Sequence, residues 1–211
     1  MKPFIQPYQY HFIHKQMQTL LNAQSASNDE SVLRALRTMA TERLLEIVAD
    51  GSDEQQQFVQ ALAEVDNTEK AEKLLAQLRS YVIPFEVTEQ EIKKLFPKVK
   101  KLRVPHLAEF DMFTRSYVNW FDSGTNKTFL VTRMNQKLVG LQGTLTRINE
   151  KGICTLCNGY EEVGILLVEE KGKQLGTYTK RGNYICTDGE KCNQNITSLE
   201  RIHGFIERLK K

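Results

Sequence analysis

Cysteine is scarce in this chain of 211 residues: there are four, all in the last third. Secreted disulfide frameworks pack cysteine densely into short chains, and Met1-Lys-Pro-Phe-Ile5 leads into polar sequence with no export signal. A soluble protein of the reducing cytoplasm is therefore expected. No apolar stretch approaches the ~20 residues that span a bilayer, so no membrane partner is expected. Gly-x-Ser-x-Gly, a phosphate-binding glycine loop and a metalloprotease motif are missing, and with them the usual marks of hydrolase and nucleotide chemistry. His11, His14, His106 and His203 have no partner at a spacing that makes a base or nucleophile pair. No catalytic residue is assigned, and the chain is expected not to be an enzyme. Internal repeats and low-complexity tracts are absent as well.

The few cysteines are not scattered. Cys154-Thr-Leu-Cys157 and Cys186-Thr-Asp-Gly-Glu-Lys-Cys192 form two close pairs with 28 residues between them. Gly152-Ile-Cys154-Thr-Leu-Cys157-Asn-Gly159 has the size of a zinc knuckle, and the second pair precedes an expected terminal helix that would present Cys192 near its first turn. Four thiolates complete a tetrahedral zinc shell and leave no open position for water or substrate. One structural zinc per chain is therefore expected, its binding energy being folding energy for this region. An iron–sulfur cluster can use the same four thiolates. A redox pair would use Cys154 and Cys157 and leave the others unexplained, and His203 is a substitute ligand if Cys186 is misplaced.

Charge divides the chain. Residues 1–80 carry a net −3, residues 81–150 a net +4 and residues 151–211 a net +2, as expected if the parts do different jobs. Residues 1–83 read as four amphipathic helices: Pro7 opens the first, and Ser27-x-x-Glu30, Ser52-x-x-Gln55 and Asp66-x-x-Glu69 mark the starts of the others. The second would face inward with Val32, Leu36, Met39, Ala40, Leu44 and Ile47. Pro84 closes this bundle. Thr88-x-x-Glu91 opens a short helix, and near-alternating segments over 116–121, 127–133 and 137–146 form an antiparallel meander. Strands over 163–168 and 178–185 and a helix over 198–209 complete a treble-clef arrangement around the metal. The expected fold is α+β: a helical bundle over 1–83, then an α/β domain over 84–211 whose zinc-bearing part is 150–211.

Two surfaces stand out. Lys93-Lys-Leu-Phe-Pro-Lys-Val-Lys-Lys-Leu-Arg103 is a cationic run that as a nucleic-acid footprint would supply phosphate contacts. It is read here as a solvated helix face followed by a lysine-guarded edge strand, because no stacking aromatics are interleaved. Direct nucleic-acid binding is not expected, although a zinc-ribbon-like RNA-binding module using 93–103 is the alternative. Near the cysteines, Ile153, Arg181, Tyr184 and Phe205 have the makeup of a protein-binding hot spot; Ile153 and Phe205 could instead be core, and Tyr184 a strand residue.

The pattern Gly152-x-Cys154-Thr-x-Cys157-Asn, followed by Lys180-x-Gly182-x-Tyr184-Ile-Cys186-x-Asp188-x-x-x-Cys192-Asn-Gln, resembles the FusB-type fusidic acid resistance proteins, or elongation factor G-binding proteins. Tyr81-Val-x-Pro-Phe85-Glu, Lys98-Val-Lys-Lys-Leu and Tyr117-x-x-Trp120 fit the same family. The resemblance implies a two-domain protein that binds elongation factor G, including ribosome-bound factor complexes, mainly through its zinc-bearing domain; a monomer is expected. It implies release of the factor from the ribosome, a target protection that leaves the drug unmodified. It also carries partner contacts onto Ile153, Arg181, Tyr184 and Phe205, with Ile153 in place of an aromatic and Arg181 in place of a lysine.

Overall fold

The computed structural model describes residues 1–171 and 177–209, and the chain divides into two units, 1–83 and 84–211. In the first, α1 (Pro7–Ala26), α2 (Glu30–Glu46), α3 (Asp53–Ala63) and α4 (Thr68–Arg79) enclose a core that includes Ile13, Met17, Leu44, Leu62 and Leu78. Its two ends are tied together: Phe4 and Ile5 N–H donate to the Tyr81 carbonyl, and Ile83 N–H donates to Ile5.

The helix starts follow local hydrogen-bond chemistry. Pro7 occupies the first turn of α1, where its missing N–H has no partner to lose. Ser52 and Gln55 form the reciprocal box that opens α3. Two expected starts shift. Asp29, not Ser27, caps α2, accepting from Ser31 N–H at 2.9 Å and Val32 N–H at 3.3 Å, while the Ser27 hydroxyl accepts the Asp29 N–H. Asn67, not Asp66, caps α4 through Lys70 N–H at 2.8 Å. A carboxylate or amide one bond from its Cβ reaches the N2 and N3 donors, so either neighbour of similar chemistry can win.

The inner face of α2 also differs from expectation. Val32 and Met39 are exposed at 46% and 47%, while Ala40 and Leu44 are buried and Val48 follows them beyond the helix end. Val32→Lys and Met39→Lys are each expected to change unfolding stability by no more than about 0.5 kcal/mol in urea denaturation; a loss several times larger would place these side chains in a core.

In the second unit α5 (Glu89–Leu95) starts from the Thr88–Glu91 capping box and packs Ile92 and Phe96 against a five-stranded antiparallel meander in the order β1-β2-β3-β4-β5. The strands are β1 (Tyr117–Asp122), β2 (Lys127–Met134), β3 (Lys137–Ile153), β4 (Tyr160–Lys171) and β5 (Tyr178–Cys186). Trp120 stacks on Phe129 at 5.3 Å, and Phe96 meets Phe129 edge-on at 4.9 Å. Gly140 makes room for that ring, since a Cβ there would lie 2.5 Å from Phe96 Cζ. At the β2–β3 turn Asn135 and Gln136 both take positive φ, 48° and 63°, as a two-residue hairpin matched to strand twist requires.

β3 is longer than its sequence pattern indicates. Its first half, to Gly143, pairs with β2, and from Thr144 onward it pairs with β4. A register shift between Arg147 and Glu150, with Asn149 at φ 53°, lets the strand bend and continue to Ile153. One strand thus runs from the aromatic core to the residue before the first cysteine. Two helices follow β5: α6 (Gly189–Asn195), which contains Cys192, and α7 (Glu200–Leu209). Cys192 is therefore not presented by the terminal helix, because Asp188 caps a separate short helix through Glu190 and Lys191 N–H. No helix among the described residues is long and apolar enough to cross a membrane.

Candidate metal centre and its surface

The knuckle is built by backbone hydrogen bonds that close a tight loop at the end of β3. Asn158 N–H donates to the Cys154 carbonyl at 2.8 Å and Cys154 N–H to the Gly159 carbonyl at 3.0 Å. Asn158 takes φ 60° to make the turn, and a Cβ at Gly159 would crowd Asn195 Nδ2 at 2.8 Å. Thr155 N–H donates to the Tyr184 carbonyl at 2.9 Å, which lashes the loop to β5. Two amides point at sulfur: Gly159 N–H at Cys157 Sγ, 3.4 Å, and Cys186 N–H at Cys154 Sγ, 3.3 Å. Such contacts favour the thiolate form.

Cys154, Cys157, Cys186 and Cys192 are all buried, and their four Sγ atoms lie within 4.8 Å of one another. Cys154 Sγ is 3.8 Å from Cys192 Sγ, and Cys157 Sγ is 3.7 Å from Cys186 Sγ. These are far beyond the ~2.05 Å of a disulfide. They match the edge of a tetrahedron with arms of about 2.3 Å, roughly 3.8 Å. Both contacts join one sulfur pair to the other, so Cys154 and Cys157 are halves of a four-sulfur cluster and not a separate redox couple. Hydrogen bonds from Cys157, Cys186 and Cys192 hold the Cys154 thiol far below the usual thiol range. Hydrogen bonding to Cys154 in turn pushes Cys186 and Cys192 far above it. Four sulfurs this close resist full deprotonation unless a cation sits among them, so the donor set fits a metal ion that takes thiolates. His203 does not join them: its Nε2 is 3.1 Å from the Arg133 carbonyl.

A buried amide fastens this centre to the sheet. Asn193, 1% exposed, accepts from Ser116 N–H at 2.7 Å and Tyr117 N–H at 3.3 Å, and donates to the carbonyls of Tyr117 and Gly189. Tyr117 is itself buried, and burial, followed by its contact with Cys192, pushes its hydroxyl pKa well up. The residue after the last cysteine therefore closes the link between α6 and β1. Apart from its place in the Cys192-Asn-Gln motif, nothing in the sequence singles it out.

The four expected contact residues do not form one patch. Ile153, 57% exposed, stands at the end of β3, and Tyr184, 46% exposed, has its backbone against the knuckle. Arg181 is half-buried opposite Val168, whereas Tyr184 lies opposite Ile165; three residues apart on one strand, they leave on opposite faces. Phe205 is a correction. It is 1% exposed on the same inner face of α7 as Ile202, Ile206 and Leu209, because a helix with one apolar stripe buries that stripe. Buried in this way, it is not available as a contact. Tyr160, by contrast, was not anticipated: it is 64% exposed and pairs directly with Ile153 across β3 and β4. An aromatic immediately after the knuckle was the available signal.

Over residues 4–86 the chain matches the family described as elongation factor G-binding protein, N-terminal, and over residues 96–208 the FBP C-terminal treble-clef zinc-finger. The solved structure of the fusidic acid resistance protein FusC is similar along nearly the whole length. It is 27% identical, the match covers 97% of each chain, and the TM-score is 0.86. No curated protein sequence matches.

Proposed function

The chain belongs to the FusB-type family of elongation factor G-binding proteins, and from that premise we propose that it binds elongation factor G and promotes its release from the ribosome. The metal is zinc, one per chain, and its role is to hold a recognition surface. The observation that carries this is the placement of Ile153, Tyr160 and Tyr184: three exposed apolar or aromatic side chains stand around the knuckle, Ile153 and Tyr160 paired on one face of the sheet and Tyr184 on the other, while all four cysteines are buried. Large side chains on a rigid, pre-organised frame lose little freedom on binding, which is the makeup of an interface hot spot.

The mechanism is binding without catalysis. A binder shifts an equilibrium only through differential affinity, so release follows if the chain prefers a factor conformation that does not stay on the ribosome. The relative FusC is a fusidic acid resistance protein. By extension this chain protects translation from the drug by freeing the target and leaves the drug intact. It works as a monomer in the cytoplasm, on ribosome-bound factor.

Capture of purified elongation factor G in moderate salt with competing RNA tests the partner. Recovery of translation in a fusidic acid-inhibited extract tests the consequence. Ile153→Asp, Tyr160→Ala and Tyr184→Ala are each expected to weaken capture by about 30-fold or more, the ~2 kcal/mol of a hot-spot residue, with unchanged zinc content. Arg181→Ala, whose side chain is half-buried, is expected to cost less. Undiminished capture by the combined Ile153, Tyr160 and Tyr184 variant would remove this surface from the mechanism.

A further inference from the structure

The segment 93–103 holds six cations and no acid, and its structure departs from the sequence expectation. No strand forms there: α5 ends at Leu95, and the chain continues through turns and extended backbone. Nor is the segment a loose tail. Ile92, Phe96 and Leu102 are buried in the core with Val118, Phe129 and Val131, and Leu95 and Val99 pack against it. Val99 N–H donates to the Phe96 carbonyl at 3.0 Å, and Trp120 Nε1–H donates to the Arg103 carbonyl at 2.9 Å. The apolar residues are anchors, and the lysines are what remains outside.

Some lysines stand beside carboxylates: Lys70 by Asp66, Lys73 by Glu69, Lys180 by Glu169, Lys191 by Glu161 and, at the start of this segment, Lys93 by Glu89. Lys94, Lys98, Lys100 and Lys101 are exposed and enter no ion pair among the described residues. Nearby acids are engaged: Glu91 is hydrogen-bonded by the Thr88 N–H and hydroxyl, and Glu169, which lines a groove of about 340 Å³ with Lys98, is paired with Lys180. Arg103 leans toward Gly124 beside Asp122. Four like charges held on fixed backbone do nothing for the fold, and they suit a polyanion, since each ammonium that meets a phosphate releases a counter-ion. Phe96, the segment's one aromatic, is buried, so bases cannot stack on it as single-stranded recognition needs.

We propose that Lys94, Lys98, Lys100 and Lys101 form a docking site for the phosphate backbone of folded RNA, contrary to the expectation from sequence that RNA is not a partner. Its natural source is ribosomal RNA, an identification that rests on the factor-release function proposed above. The two surfaces sit at different places along one strand. The lysine segment packs on β3 at Gly140, and Ile153 ends the same strand 13 residues later, up to roughly 40 Å away at ~3.3 Å per residue.

The test is anisotropy titration of the full-length, zinc-loaded protein against a labelled RNA hairpin, with sedimentation of salt-washed ribosomes alongside. Four phosphate contacts predict a log–log salt slope of about −3.6, on the order of a 100-fold loss of affinity between 50 and 200 mM salt. Combined Lys94→Gln, Lys98→Gln, Lys100→Gln and Lys101→Gln should weaken hairpin and ribosome binding at least tenfold at 50 mM salt, with the melting temperature and factor capture unchanged. Equal RNA affinity of wild type and variant overturns the proposal. So does loss of factor capture alone, which would assign the lysines to an acidic protein surface. Wild-type protein that binds RNA but not the factor would sink the factor-release function and leave the lysine site standing; the reverse outcome would do the opposite.

Discussion

Cys154→Ser is expected to release the metal and unfold the region from Ile153 through α7, with loss of elongation factor G capture. Cys154 Sγ touches Cys192 and receives the Cys186 amide, so it ties the knuckle to both partners of the second pair. A hydroxyl in its place is a poor ligand and leaves three buried sulfurs crowded without a full shell. Structural zinc contributes an apparent ~10–16 kcal/mol in small finger domains at neutral pH, comparable to or larger than the stability of a whole domain. Loss of one ligand in four therefore weakens metal binding by orders of magnitude. Content of the proposed zinc would fall to near zero, and amide hydrogen exchange over 153–159 and 186–196 would lose its protection. Helices α1–α4 have their own core and should keep their exchange protection. A Cys154→Ser protein that retains zinc and binds the factor normally would show that the cluster is neither the metal site nor the brace for the surface.

The metal centre was legible in the sequence because ligand spacing is a local property. Two residues between Cys154 and Cys157 leave few ways to place both sulfurs on one ion, and a tight turn there requires the Asn158-Gly159 pair. The core strands and the start of α3 were legible for the same reason: alternation and the Ser52–Gln55 box are set within a few residues. What failed depends on the surroundings. Val32 and Met39 have helical spacing, but the first turns of α2 have little packed on them, and periodicity cannot count neighbours. Phe205 looked like a contact because it is large and near the cysteines in sequence, yet burial is decided by what α7 packs against. Arg181 and Tyr184 stand close in sequence, and strand alternation separates them. The lysine run was read as a guarded edge strand because its charge pattern is compatible with one, whereas anchoring by Phe96 and Leu102 turned it into a fixed loop.

Asn193→Ala is expected to be the most damaging substitution outside the cysteines. The side chain meets four backbone groups in a site from which water is excluded, and alanine leaves the Ser116 and Tyr117 N–H groups without the acceptor they share. Each buried donor left unpaired costs about 1–3 kcal/mol. The two together, with the lost bonds to the Tyr117 and Gly189 carbonyls, predict about 3–5 kcal/mol, a fall in Tm on the order of 10 °C. Asn193→Asp would keep the acceptors but bury a charge against two carbonyls, and should be no better tolerated. The exposed neighbour in Gln194→Ala should cost no more than about 0.5 kcal/mol. Because Asn193 follows Cys192 directly and holds α6 to β1, the alanine variant should also bind zinc roughly 10–100-fold more weakly, as when an outer partner of a metal ligand is removed. Calorimetry with competitive zinc titration separates the possibilities. A fall in both stability and metal affinity is the signature of a sheet and a metal centre that support each other, and a fall in stability alone would mean that the centre stands without the strand it is fastened to.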